Sequence, residues 1–166
     1  MTKLIQVADI LAESVVDGKG LRVVVFFQGC PRRCPGCHNE ALLPFKGGKQ
    51  YTPAALADQI LKKVTPLHKG ITFSGGDPLA QADGLLEVIQ ILKQKQSTLD
   101  YWVYTGYLYE DVSEYDVLHE IDVLVDGPFI LAERDLTLPF RGSTNQRILD
   151  VPKSLAMNKA TILVFS

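Results

Sequence analysis

Five short runs rich in β-branched and aromatic residues, at 22–28, 70–73, 101–104, 121–125 and 161–165, recur along the chain, and most are followed by turn residues and then by helical periodicity. This alternation is the strongest constraint on the fold. Buried strands alternating with helices pack as βαβ units, so the expectation is an α/β fold: a parallel sheet with flanking helices. Thr52 reads as a helix cap with Pro53 at the first helical position, after which Leu56, Ile60 and Val64 repeat every four residues. Leu85, Val88, Ile89 and Leu92 fall at i, i+3, i+4 and i+7, one face of a second amphipathic helix. Lys62, Lys63, Lys93 and Lys95 read as solvated positions. In such folds ligands gather beyond the carboxyl ends of the strands.

Length limits the architecture further. A closed (β/α)₈ barrel takes about 250 residues, and this chain has 166, so it builds part of a barrel or a small open sheet. No repeat or linker divides it, and a single domain over residues 1–166 is expected. Seventeen Lys plus Arg against nineteen Asp plus Glu leave a formal charge of −2, which provides no global field for nucleic acid or an anionic membrane. The longest apolar run, Val23 to Phe27, is far short of the roughly 20 residues of a membrane span. The amino terminus does not read as a secretory signal, and the expected location is cytoplasmic.

All three cysteines, Cys30, Cys34 and Cys37, fall within eight residues, on a loop containing Gly29, Pro31, Pro35 and Gly36 that follows the first strand-like run. An odd number so closely spaced does not suit a disulfide framework. Three readings stay open. The thiolates can converge on an iron–sulfur cluster, in which three ligands leave one iron of a cubane free for an exogenous group. They can enter a zinc site, which needs a fourth ligand such as His68 or His119, because His38 adjoins Cys37 and is badly placed to share its metal. Cys34-Pro35-Gly36-Cys37 can also be a dithiol redox pair, although such a pair needs no third cysteine.

The C-x3-C-x2-C spacing after a strand, together with Thr72-Phe73-Ser74-Gly75-Gly76-Asp77-Pro78-Leu79, resembles the radical S-adenosylmethionine superfamily. A bland alternative for the second block is a helix start, with Asp77 as cap and Pro78 at the first position. Three further blocks extend the resemblance. Ser14-Val15-Val16-Asp17-Gly18-Lys19-Gly20-Leu21-Arg22, Val125-Asp126-Gly127-Pro128-Phe129 and Phe140-Arg141-Gly142-Ser143-Thr144-Asn145-Gln146-Arg147 are similar to the activating proteins of anaerobic (class III) ribonucleoside-triphosphate reductase.

The resemblance implies an incomplete, TIM-like barrel of the radical S-adenosylmethionine type. It also implies that Cys30, Cys34 and Cys37 hold a [4Fe–4S] cluster whose open iron chelates S-adenosylmethionine. Ser74, Gly75, Gly76 and Asp77 are the expected cradle of the methionine moiety, with Asp77 where glutamate is commoner. The implied activity is reductive cleavage of S-adenosylmethionine to place a glycyl radical on the reductase, with a low-potential donor such as flavodoxin supplying the electron. Thr105 and Asp126, at the ends of strand-like runs, are candidate cofactor contacts; ordinary turn chemistry is the alternative. Gly36 stands where many relatives carry an aromatic residue before the third cysteine, so His38 or Tyr107 is the candidate stacking surface for adenine. Arg32 and Arg33 are candidates for meeting the donor, while Arg141, Asn145 and Arg147 suit gripping a partner or a carboxylate. The competing expectations are a radical S-adenosylmethionine enzyme acting on a small molecule and a non-enzymatic zinc-binding module.

Overall fold

The computed structural model describes residues 4–30 and 48–164, and Arg32, Arg33, Cys34, Cys37 and His38 lie outside the described residues. Among the described residues, seven strands form one sheet: β1 (Ile5–Ser14), β2 (Arg22–Phe27), β3 (Lys49–Tyr51), β4 (Gly70–Gly75), β5 (Asp100–Tyr104), β6 (Val123–Asp126) and β7 (Arg147–Asp150), in the order β3-β1-β2-β4-β5-β6-β7. The centre, β2-β4-β5-β6, is parallel. Both flanks are antiparallel, β1 to β2 and β3 on one side and β7 to β6 on the other. The expected parallel sheet is therefore the core of a mixed one.

The helices α1 (Pro53–Leu61), α2 (Ala82–Lys95), α3 (Tyr109–Val112) and α4 (Val151–Met157) join the strands. Thr52 caps α1 by accepting the Ala55 N–H at 3.1 Å, with Pro53 at the first position, where its missing donor costs nothing. Leu85, Val88, Ile89 and Leu92 of α2 are wholly buried. Each such side chain contributes about 1.5–3 kcal/mol relative to exposure.

Side chains alternate across the sheet, so each strand serves two environments. Val23, Val25 and Phe27 of β2, Ile71 and Phe73 of β4, Tyr101 and Val103 of β5 and Leu124 of β6 pack against all the helices as one core. On the opposite face Trp102, Val123, Val125 and Ile148 form a smaller cluster with Tyr104, Phe140 and Leu163, and none of the described α-helices contributes to it. Loops do so instead. Residues 15–21 are held there by Arg22, whose buried guanidinium donates to Thr72 Oγ1 at 2.7 Å and to the Lys19 carbonyl at 2.9 Å, pairs with Asp100 at 2.6 Å and lies 5.5 Å from the Trp102 ring. Burial lowers the Arg22 pKa, and Asp100 opposes that effect. Residues 128–146 return across the same face, and Phe140 meets Trp102 edge-on at 5.3 Å.

Residues 161–165, expected as a strand, form only a bridge from Ile162 to Leu149 within the described part. Asp150 and Leu163 complete that contact through backbone bonds of 2.9 Å to Thr161 and Ile148. Strand β1 was not expected, because bulges between Val7 and Asp9 and between Leu11 and Ser14 break its alternation.

Candidate functional site

A cleft of about 440 Å³ opens on the face away from the described α-helices, at the carboxyl ends of β2, β4 and β5. That volume suits a small-molecule ligand. Cys30, three residues beyond β2, borders it together with Ser74, Gly75 and Gly76 at the end of β4 and Thr105 and Gly106 after β5. Phe26, Tyr104, Phe129 and Phe140 supply aromatic wall, and Val16 and Leu136, exposed by 71% and 74%, stand at its opening. The fold thus brings the first cysteine and the glycine-rich turn, more than forty residues apart, to one edge of one cavity.

Gly75 is what allows this approach. Its φ of +99° belongs to glycine, and a Cβ there would sit 2.6 Å from the Phe27 carbonyl oxygen and 2.8 Å from the Phe26 carbonyl carbon. The β4 turn consequently lies against β2: the Gly76 N–H donates to Phe27 O and the Asp77 N–H to Gly29 O, both at 2.8 Å.

Two acids expected as cofactor contacts are wholly buried and hydrogen-bonded within the fold. Asp77 is wholly buried, and its carboxylate accepts the Leu79 N–H at 3.0 Å, the Thr105 hydroxyl at 2.8 Å and the Gly106 N–H at 3.0 Å. It caps the short 3₁₀ turn Pro78–Gln81, with Pro78 in the first turn, so the capping reading of this block also describes the local structure. Thr105 spends its hydroxyl proton on Asp77. Asp126, also wholly buried, accepts the Tyr109 N–H at 2.8 Å and two donors from Arg147, Nε at 3.0 Å and Nη2. Arg147 reaches on to Glu110 at 2.8 Å, which lowers the Glu110 pKa, chiefly through the hydrogen bond, and Asp126 and Glu110 together raise that of Arg147.

The remaining polar expectations divide. Asn145 holds the Pro128 carbonyl at 2.8 Å, and Gln146 gathers the Gly142 N–H at 2.9 Å and the Gly127 carbonyl at 3.1 Å, so this block scaffolds its own loop. Arg141 lines the cleft; it donates to Gln146 O at 2.6 Å while its buried Nε has no partner among the described residues. Tyr107 packs against the helical core and does not line the cleft, whereas Phe26 and Tyr104 do. Period-two alternation carried that signal, since it sets both opposite the core-facing Val25 and Val103. Burial, with Asp17 adding to it, raises the Tyr104 pKa, so its hydroxyl stays protonated at neutral pH.

A histidine-completed zinc site loses its candidates. His68 precedes β4 and His119 precedes β6, the end of the parallel strands opposite Cys30. Both His68 nitrogens are engaged, Nδ1 with Thr65 N–H at 3.0 Å and Nε2 donating to Ala12 O at 2.7 Å. The donor set at the cleft suits an iron–sulfur group with a polar organic cofactor beside it: a cysteine, a glycine-rich backbone edge, an aromatic wall and a guanidinium Nε without a partner among the described residues.

A family model described as "4Fe-4S single cluster domain" matches residues 16–149. The anaerobic ribonucleoside-triphosphate reductase-activating protein of Vibrio cholerae is 38% identical over 141 residues, covering 81% of this chain and 90% of that protein. The protein of the same name from Escherichia coli K12 is 35% identical over 139 residues, covering 80% and 90%. A solved structure of QueE from Escherichia coli superposes with a TM-score of 0.46 at 16% identity, over 62% of this chain and 52% of that one, an overlap that adds nothing to these matches.

Proposed function

Because the chain belongs to the family of anaerobic ribonucleoside-triphosphate reductase-activating proteins, we propose that it is an enzyme that installs a glycyl radical on that reductase. Cys30, Cys34 and Cys37 hold a [4Fe–4S] cluster, and S-adenosylmethionine lies in the cleft against the backbone of Ser74, Gly75 and Gly76. Cluster and cofactor together supply the reductive cleavage and hydrogen-abstraction chemistry. The residues of the chain orient the cofactor, screen it from water and leave an approach for a macromolecular substrate. Phe26, Tyr104, Phe129 and Phe140 provide the apolar wall, and the opening at Val16 and Leu136 is the way in for the reductase's glycine segment. The sheet, with helices on one face and loops on the other, is read as an incomplete barrel whose open side serves that approach.

The single observation that carries the reading is Cys30 bordering the same cavity as the glycine-rich turn. His38 is retained as a candidate adenine contact, and Arg32 and Arg33 as the docking charges for a flavodoxin-like donor. Asp126 and Thr105 act by holding the cleft wall. No described helix is long and apolar enough to cross a membrane, and the cytoplasm is the proposed location. Anaerobic purification followed by electron paramagnetic resonance tests the reading. A reduced [4Fe–4S] signal that shifts on adding S-adenosylmethionine supports it, and stoichiometric zinc without iron refutes it.

A further inference from the structure

The glycine-rich turn ends in an acid whose surroundings do not suit a ligand. Asp77 has no exposed surface, and its oxygens already receive the Leu79 N–H, the Thr105 hydroxyl and the Gly106 N–H. Thr105 lies 2.8 Å from one carboxylate oxygen and 3.1 Å from the other, so a single hydroxyl bridges both. A carboxylate offers about four acceptor positions. These donors occupy most of them, and a cofactor ammonium would have to compete with two backbone N–H groups and the Thr105 hydroxyl for the carboxylate.

The same residue reaches two other parts of the site through its backbone. Its N–H donates to Gly29 O at 2.8 Å, immediately before Cys30. Thr105 in turn accepts the Tyr107 N–H at 3.1 Å, and the Gly127 N–H donates to Tyr107 O at 3.0 Å, which carries the connection to the carboxyl end of β6. One buried acid therefore ties together the ends of β2, β4 and β5, the three strand ends around the cleft.

We propose that Asp77 is a positioning residue, a clasp that fixes the root of the cysteine loop and the Thr105–Gly106 wall of the cleft relative to each other, and that it does not touch the cofactor. The short side chain is essential to this role. From the capping position of the 3₁₀ turn, an aspartate carboxylate stays close enough to its own backbone to accept the N–H two residues on and still meet Thr105. An added methylene would push the carboxylate out of that geometry into a packed interior. The consequence for the cofactor rests on the proposed function; the clasp itself does not.

The test uses the full chain, anaerobically reconstituted, as wild type and as Thr105→Val, Thr105→Ser and Asp77→Glu. Two readouts are taken: the melting temperature without S-adenosylmethionine, and the titration of the reduced cluster's paramagnetic signal with S-adenosylmethionine. Removing a hydrogen bond to a buried charge is expected to lower the melting temperature of Thr105→Val by about 3–10 °C. It is also expected to weaken the titration about tenfold or more, because the Thr105 hydroxyl that is lost is the one that holds the cleft wall to Asp77. Asp77→Glu behaves like Thr105→Val, while Thr105→Ser, which keeps the hydroxyl, stays within about twofold of wild type. The proposal is overturned if Thr105→Val melts with wild type, or if Asp77→Glu retains wild-type stability and cofactor response as a direct ligand would. A wild type whose signal ignores S-adenosylmethionine refutes the proposed function instead, and the melting comparison, made without the cofactor, still decides the clasp.

Discussion

Replacing Arg147 by methionine is a severe perturbation for a residue on an outer strand. Arg147 neutralises Asp126, which has no exposed surface, through Nε at 3.0 Å and through Nη2. Asp126 in turn anchors the Tyr109 N–H at 2.8 Å and so fixes the connection from β5 into α3 that forms one wall of the cleft. Methionine keeps much of the side-chain volume but leaves a buried carboxylate facing one remaining donor. Breaking a buried pair from one side costs about 3–5 kcal/mol. The Arg147 side chain is 30% exposed, so water partly reaches the pair and the lower end, about 3 kcal/mol, is expected. For a chain of this size that is a fall of about 6–12 °C in melting temperature, against a total stability of about 5–15 kcal/mol. The assay is thermal unfolding followed by circular dichroism in wild type, Arg147→Met, Asp126→Asn and the double variant. Asparagine keeps an acceptor for Tyr109 and removes the charge, so the double variant should recover at least about half of the loss. A loss below about 1 kcal/mol in the single variant, or losses that simply add in the double, would refute the buried-charge argument.

Two further outcomes follow from the same geometry. Gly75→Ala forces a side chain into φ +99° and against the β2 backbone, and a destabilisation of at least about 2 kcal/mol is expected in denaturant titration; a neutral result would mean that the β2–β4 approach is looser than described. Glu110→Gln tests the outer end of the Asp126 network. The Glu110 pKa is lowered in the folded protein by its hydrogen bond to Arg147, so its contribution is present above the unfolded value of about 4.3 and disappears as pH falls through the lower folded value. Because Glu110 is exposed, the loss in the variant should be below about 1 kcal/mol near pH 7 and vanish in strongly acidic buffer. A difference that grows on acidification would reverse the sign of the argument.

The parallel centre of the sheet was legible because β2, β4, β5 and β6 are short, strongly β-branched or aromatic, and separated by helical periods such as Leu85-Val88-Ile89-Leu92. The antiparallel flanks were not. In β1 two bulges disturb the alternation, β3 has three residues, and β7 is the short Arg147-Ile148-Leu149-Asp150, whose two ends are polar. The cysteines and the glycine-rich turn announced a site through local spacing, and the fold sets Cys30 beside Ser74, Gly75 and Gly76. What stayed hidden was the direction of the acids. Nothing in Asp77 or Asp126 as letters distinguishes an acid aimed at a ligand from one aimed at Thr105 or Arg147. That choice is made by partners 28 and 21 residues away that only the sheet brings into reach. Arg147 read as suited to gripping a partner or a carboxylate, and the carboxylate it holds within the fold is that of the buried Asp126.

The proposed act of this chain is to remove a hydrogen atom from a glycine of anaerobic ribonucleoside-triphosphate reductase. The most direct measurement pairs the anaerobically reconstituted protein, S-adenosylmethionine and a low-potential reductant with reductase carrying deuterated glycine, and follows the label by mass spectrometry. Deuterium is expected in recovered 5′-deoxyadenosine, together with a glycyl radical signal on the reductase, and both are lost in Cys30→Ala. Cleavage of S-adenosylmethionine with no label transferred, while a glycyl radical fails to form on the reductase, would contradict it.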